Sequence, residues 1–241
     1  MKKAIKGGVA GALAGLLLLW CGPGAQNPAS ALAAPPQGFS WFTGYTAQTF
    51  RQLPAAAQRV DPATFNRTLL DAAVFHEVKR RRQSLGLPPL AFNSQARQMA
   101  RLQAQAMAAT GVVSHRHPNP ARRTLADRAR LVGLHPAFLA ENVASTFGRR
   151  YRSGSPFYVR QEHGRTIYSL QPGGPAIPRH TYLSFAAALL NAWMASPGHR
   201  QNILSPQAQF LGCACEPSRA PTALETFYCT QVFFAPLKAG Q

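Results

Sequence analysis

Asn191-Ala-Trp-Met-Ala-Ser-Pro-Gly-His-Arg-Gln-Asn-Ile-Leu204 is the stretch around which the rest of the sequence is arranged. The segment that leads into it, Tyr182–Ala195, has apolar residues at three- and four-residue spacing, which predicts a helix. Pro197-Gly198 is typical of a helix end. The pattern therefore predicts a rigid turn that presents His199 and Arg200, followed by a second short element.

Two interpretations of this corner stay open at the level of sequence. In the first, the turn forms one wall of a cleft and His199 faces a ligand. In the second, His199 and Arg200 bind backbone carbonyls at the helix C-terminus, where cations are favoured.

The N-terminus has the features of an export signal. Residues 1–33 combine three early lysines, an apolar run from Val9 to Trp20 and a small-residue cleavage site before Ala34. The apolar run is too short to span a bilayer comfortably, so the mature chain is expected to have no transmembrane span. Lipoprotein anchoring through Cys21 is not favoured, because Trp20 suits such processing poorly. We expect a protein of the periplasm, cell envelope or extracellular space.

The charge balance is strongly basic. The formal net charge is +18, and the sequence has only eight acidic residues among 241. Such a surface attracts anionic partners such as lipid headgroups or envelope polymers. The arginines are spread along the chain, however, which favours a solvated basic surface over a specific nucleic-acid site. The hydrophobic content of 46% is enough for a packed core.

Three cysteines remain after the signal peptide, and an exported chain uses them by default in disulfides. Two segments, Phe210–Glu216 and Leu224–Phe234, are predicted to form an antiparallel strand pair. Cys229 could face Cys215 or Cys213 across this pair, because the register is undetermined. One thiol stays free in either case.

The earlier part of the chain is predicted to be helical. One helix covers Phe65–Ser84, and a second runs from a cap at Asn93 or Ser94 to about Ala109, with Gln103 at the edge of its buried face. Residues 157–170 predict a β-hairpin that turns near His163-Gly164. Two helices followed by a mostly β half indicate an α+β sandwich of sheet and helices.

Glu141 and a histidine pair are the candidates for chemistry. Glu141 lies inside the apolar run 138–144, and a buried carboxylate must be paired, hydrogen-bonded or protonated. His115 and His117 could form half of a metal site, although the favoured interpretation is two exposed loop histidines.

Five motifs in order resemble the CAP superfamily of cysteine-rich secretory proteins, antigen 5 and pathogenesis-related 1 proteins, also called SCP domains. They are Gly86–Leu90 followed by Asn93, Ser114-His115, Glu141-Asn142-Val-Ala, the Asn191–Leu204 corner and Tyr228-Cys-Thr-Gln-Val-Phe. The likeness covers about 65–234 and is closest to the bacterial branch. It implies a three-layer α-β-α sandwich with a central antiparallel sheet over 64–237. The hairpin at about 149–179 is then an insertion and 34–63 an N-terminal extension.

The resemblance also implies a cleft with two histidines and two glutamates that can hold a divalent metal. His115 and Glu141 match the first histidine and the first glutamate. Tyr228 and Ser196 occupy the other two positions, so half of the set is absent. His199 is the candidate replacement, and a divalent metal such as zinc would then be held by His115 and His199.

Three hypotheses follow. The favoured one is an exported, non-catalytic module that binds a lipid or an anionic envelope polymer in a cleft lined by His115, Glu141, Ser196, His199 and Tyr228. The first alternative is a metal-assisted, peptidase-like hydrolase with Glu141 as general base beside His115 and His199. The second alternative is a structural or interaction protein.

Overall fold

The computed structural model describes residues 40–237. The predicted signal peptide, Cys21 and the start of the predicted N-terminal extension lie outside the described residues. Within residues 40–237 the chain forms six α-helices, six β-strands and two short 3-10 turns. The helices are α1 (Ala47–Arg51), α2 (Arg67–Ser84), α3 (Ser94–Thr110), α4 (Leu125–Leu131), α5 (Tyr182–Ala195) and α6 (Pro197–Leu204). The strands are β1 (Ala91–Phe92), β2 (Pro136–Phe147), β3 (Tyr158–Glu162), β4 (Arg165–Ser169), β5 (Phe210–Pro217) and β6 (Thr226–Pro236). No helix in this part of the chain has the length and apolar character needed to cross a membrane.

Helix ends follow local capping signals. The Asn66 side chain accepts the Leu69 amide at the start of α2, which begins two residues after the predicted start. The Asn93 side chain accepts the Ala96 amide at 2.7 Å at the start of α3, as predicted. Gly111 ends α3 with a positive φ of 74°, a conformation that glycine adopts without steric penalty.

The main sheet has four strands in the order β1-β5-β6-β2. Strand β6 pairs antiparallel with both β5 and β2, whereas β1 pairs parallel with β5. The predicted α+β class is confirmed, and the sheet is mixed rather than purely antiparallel. The difference comes from β1, a two-residue strand on the connector between α2 and α3.

Helices cover the two faces of this sheet. On one face, α2 and α5 pack with Cys213, Phe227 and Phe233 in the largest core cluster. On the other, α3 and α4 pack with Ala214 and Val232. Alternate strand residues thus supply the two cores, because successive side chains of a strand point to opposite faces.

Helix α3 lies unusually close to β5. A Cβ placed on Gly212 would lie 2.0 Å from the Arg97 backbone nitrogen, so only glycine fits this crossing. The alanine-rich face of α3 allows the same close approach. Gln103, predicted at the edge of that face, is fully buried instead, and its amide donates to the Ser114 carbonyl.

The corner differs from the prediction. Pro197 begins α6 rather than forming a turn, and Ser196 is both the last cap of α5 and the first cap of α6. Proline is favoured at this first position because its missing N–H has no helical partner there. Arg200 does cap the preceding helix, since its Nε donates to the Met194 carbonyl at 2.6 Å.

Two β-hairpin features agree with the sequence patterns. Strands β3 and β4 pair antiparallel and turn at His163-Gly164, both of which have positive φ values. Cys215 faces Cys229 directly in the β5–β6 register, and the two form the disulfide. Cys213, the other candidate partner, is a buried free thiol.

Candidate functional site

Glu141 is the centre of the candidate site. It lies in the middle of β2, and its side chain is only 2% exposed. Its Oε2 accepts from Arg128 Nη2 at 2.6 Å, and its Oε1 pairs with His115 Nδ1 at 2.9 Å. The buried carboxylate is therefore paired through both oxygens, as its place in an apolar run requires.

Arg128 is the residue that fixes this carboxylate. Its side chain is fully buried on α4, and its Nη1 also donates to the carbonyls of His115 at 3.4 Å and Arg122 at 3.3 Å. One guanidinium thus holds both Glu141 and the loop that carries His115. Such additional hydrogen bonds are what a buried ion pair needs to offset its desolvation.

Sequence reasoning missed Arg128, because it is one of many arginines in a basic chain. A signal was nevertheless present. Leu125, Ala129 and Val132 place apolar side chains at helical spacing around it, so Arg128 lies on the stripe that packs inward.

His115 and His199 have opposite electrostatic environments. The hydrogen bond to Glu141 raises the pKa of His115 above its ordinary value of 6.5 and outweighs both partial burial and repulsion from Arg128. Burial lowers the pKa of His199, and a positive charge on nearby His115 lowers it further. Of the two rings, His115 is therefore the one that keeps a proton to higher pH. Its side chain is 58% exposed.

A buried amide network places α6 beside the carboxylate. The Asn142 side chain is fully buried, and its Nδ2 donates to the His199 carbonyl at 3.1 Å. Asn202 Nδ2 donates to Asn142 Oδ1 at 2.9 Å. Hydrogen bonds to Asn142, the residue after Glu141 on β2, thus hold the first turn of α6 and the backbone of His199. The sequence signal was an asparagine next to Glu141 inside the apolar run 138–144.

Ser196 and Tyr228 do not bond to the His115–Glu141 pair. Ser196 joins α5 to α6, and its hydroxyl makes no capping hydrogen bond. The Tyr228 hydroxyl donates to the Gly111 carbonyl at 2.9 Å, so it supports the start of the loop that leads to His115. In the register, Tyr228 lies four residues along β6 from Val232, the partner of Glu141, which is about 13 Å.

The predicted metal ligands fit a metal poorly. Residues 40–237 contain no group of three or more histidine, cysteine, aspartate or glutamate side chains arranged for a metal ion. A cation on Glu141 would also lie beside the buried guanidinium of Arg128, which repels it.

The two neighbouring histidines, His115 and His117, differ in exposure. His117 is buried and its Nδ1 accepts the Asn119 amide at 3.0 Å, so the favoured interpretation of two exposed histidines is wrong for His117.

Comparison with known proteins gives one family match. A model described as the cysteine-rich secretory protein family, CAP, matches residues 75–233, about two thirds of the chain. The matched range contains His115, Arg128, Glu141 and His199. Among curated proteins, none matches the chain.

The chain also matches three solved bacterial structures over part of its length. An extracellular protein with an SCP domain from Bacillus anthracis is 22% identical, with a TM-score of 0.45, over 69% of this chain and 41% of that one. An outer surface protein from Borrelia burgdorferi is 13% identical, with a TM-score of 0.47, over 75% of this chain and 99% of that one. A cysteine-rich secretory protein from Staphylococcus aureus is 14% identical, with a TM-score of 0.42, over 70% of this chain and 39% of that one. The chain thus spans about two fifths of the Bacillus and Staphylococcus proteins.

Proposed function

This chain belongs to the cysteine-rich secretory protein (CAP) family, and on that premise we propose that it is an exported, non-catalytic module that binds an anionic ligand through His115. Export is supported by the signal-like residues 1–33 and by a Cys215–Cys229 disulfide, which suits an oxidising compartment. The ligand class that we favour is an anionic lipid headgroup or envelope polymer.

The observation that carries the proposal is the commitment of both Glu141 oxygens. A general base must come within hydrogen-bond reach of the proton that it removes, and the Glu141 side chain is only 2% exposed. Here one oxygen is bonded to a fully buried arginine and the other to His115. The carboxylate is therefore an anchor that orients His115 and favours its protonated form.

The neighbouring hydroxyls support binding over hydrolysis. Ser114 Oγ accepts the Arg116 amide at 2.9 Å and donates to the Arg116 carbonyl at 3.2 Å, so it is turned toward its own loop. Within residues 40–237 no serine, threonine or cysteine hydrogen-bonds the His115 ring. His115 is thus not paired with a nucleophile of the described residues, which covalent hydrolysis at this site would require.

His115 is suited to an anion. Its Nδ1 is used by Glu141, which leaves Nε2 as the second N–H donor of the protonated ring. A charge-assisted hydrogen bond from an imidazolium to a phosphate oxygen is stronger than a neutral one. The basic surface adds long-range attraction toward the same ligands.

The test is the pH dependence of binding to phosphatidylglycerol vesicles, measured by co-sedimentation. We expect the affinity of the parent protein to fall as pH rises from 5.5 to 8.5, because His115 loses its proton. His115→Asn should bind more weakly at the acid end and show a much flatter profile.

The matched control is His163→Asn. His163 lies exposed in the β3–β4 turn with a φ of 48°, which asparagine tolerates. This variant should keep the parental pH profile. An unchanged profile in His115→Asn, or equal losses in both variants, would contradict the proposal.

A further inference from the structure

A charged groove lies between α2, α3 and the end of β5. It encloses about 620 Å³, and its lining includes Arg67, Arg97, Arg101, Arg219 and Glu216. Below it, the fully buried Asp71 pairs with Arg97 and Arg101. The groove is separate from the His115 site. Glu216 lies two strands away from Glu141 and four residues further along the sheet, a separation of about 16 Å.

The charges of this groove do not balance. Four guanidinium groups face two carboxylates, Asp71 and Glu216, which leaves an excess of two positive charges. Arg101 bridges both carboxylates and is only 18% exposed, so the inner part is a fixed network. The excess therefore lies on the outer arginines.

Those outer arginines have unused donors. Arg67 donates to Glu216 only through Nε, at 3.1 Å. No described residue accepts a hydrogen bond from its two Nη groups. The Arg219 side chain likewise has no ion-pair or hydrogen-bond partner within residues 40–237. Its backbone is nevertheless fixed, since the Arg219 amide donates to the Ala108 carbonyl at 3.0 Å.

We propose that this groove binds a phosphate group, held between Arg67 and Arg219 above the Arg101 network. Guanidinium groups match phosphate geometry through paired N–H donors. A phosphate monoester carries a charge of about −1.5 to −2 near pH 7, which matches the excess of the groove. The same groove is also lined by Thr68, Gln105 and Ser218. Their side chains can hydrogen-bond hydroxyl groups on the alcohol part of a phosphate ester.

The first experiment is a calorimetric titration of the purified protein with inorganic phosphate at low ionic strength. Arg219→Ala and Arg67→Ala should each weaken binding about tenfold, the loss expected for one charge-assisted contact. Neither change exposes an unpaired buried carboxylate, because Arg219 has no described partner and Glu216 keeps Arg101. Arg219→Ala should keep the parental fall in phosphatidylglycerol-vesicle affinity between pH 5.5 and 8.5, because His115 is intact, and this separates the groove from the proposed function above.

The charge control is Arg152→Ala, which removes one exposed arginine outside the groove. It should leave phosphate binding within twofold of the parent. A second arm replaces inorganic phosphate by vesicles that contain phosphatidic acid, a lipid with a phosphate monoester. A loss in Arg219→Ala with these vesicles identifies a lipid headgroup as the ligand, whereas a loss with inorganic phosphate alone identifies a soluble one. No binding in either arm, or an equal loss in Arg152→Ala, would overturn the proposal.

Discussion

Removal of the Arg128 side chain should weaken both the fold and the electrostatics of the site. Arg128→Met keeps the volume of the side chain but leaves Glu141, 2% exposed, without its buried cation. Breaking a buried ion pair on one side destabilises a protein by about 3–5 kcal/mol. For a domain of this size, we expect the melting temperature to fall by about 10 °C.

Urea unfolding followed by circular dichroism measures this effect. The matched control is Arg130→Ala on the same helix, whose side chain is 73% exposed and pairs with Asp127 at the surface. That change should lower the free energy of unfolding far less than Arg128→Met does, because an exposed ion pair contributes little. The double variant Arg128→Met with Glu141→Leu should recover part of the loss, since it removes the unpaired charge.

The same variant has a second consequence that is independent of stability. Arg128 lowers the pKa of His115 by repulsion, so its removal should raise that pKa above the parental value. NMR titration of the His115 ring in the folded variant measures the change. Neither role of Arg128 holds if Arg128→Met is as stable as Arg130→Ala and leaves the His115 titration unchanged; either result alone contradicts the corresponding role.

Three other predictions follow from the fold and the site. The pKa of His115 is raised in the folded state, so protonation of His115 stabilises the fold fully below the unfolded pKa of 6.5, and this stabilisation is lost as pH rises through the folded pKa. The difference in unfolding free energy between the parent and His115→Asn should therefore be larger at pH 5.5 than at pH 8.5. An equal difference at the two pH values would contradict this. Gly212→Ala should destabilise by about 1–3 kcal/mol or more in urea unfolding, because the new Cβ meets the α3 backbone, whereas Gly198→Ala, which meets no atom within 4 Å, should be nearly neutral. Replacing Cys215 and Cys229 together by alanine should lower the unfolding free energy by about 3 kcal/mol, given a sequence separation of 14 residues, and Cys213→Ala should not reproduce that loss.

Local signals predicted the helices and the hairpin turn well. Asn93, Gly111 and His163-Gly164 act through their own backbone neighbours, so their effect can be inferred from a short window of sequence. The corner shows the limit of such signals. Pro197 is compatible both with a turn after one helix and with the first position of the next, and tertiary packing selected the second.

Long-range features could not be inferred in the same way. The choice between Cys213 and Cys215 depends on the register of β5 against β6, which no local pattern fixes. Arg128 and Glu141 are 13 residues apart on different elements, and their pairing depends on how α4 packs against β2. The sequence could predict that Glu141 needs a partner, but not which of many arginines supplies it.

In the proposed function, Glu141 holds His115 protonated for an anionic ligand. The most direct test is the pKa of His115, measured by NMR with and without the soluble headgroup glycerophosphoglycerol. We expect a His115 pKa above 6.5 in the free protein, a further rise when the headgroup binds, and a fall in Glu141→Gln. A His115 pKa that is the same with and without the headgroup, or that does not depend on Glu141, would contradict it.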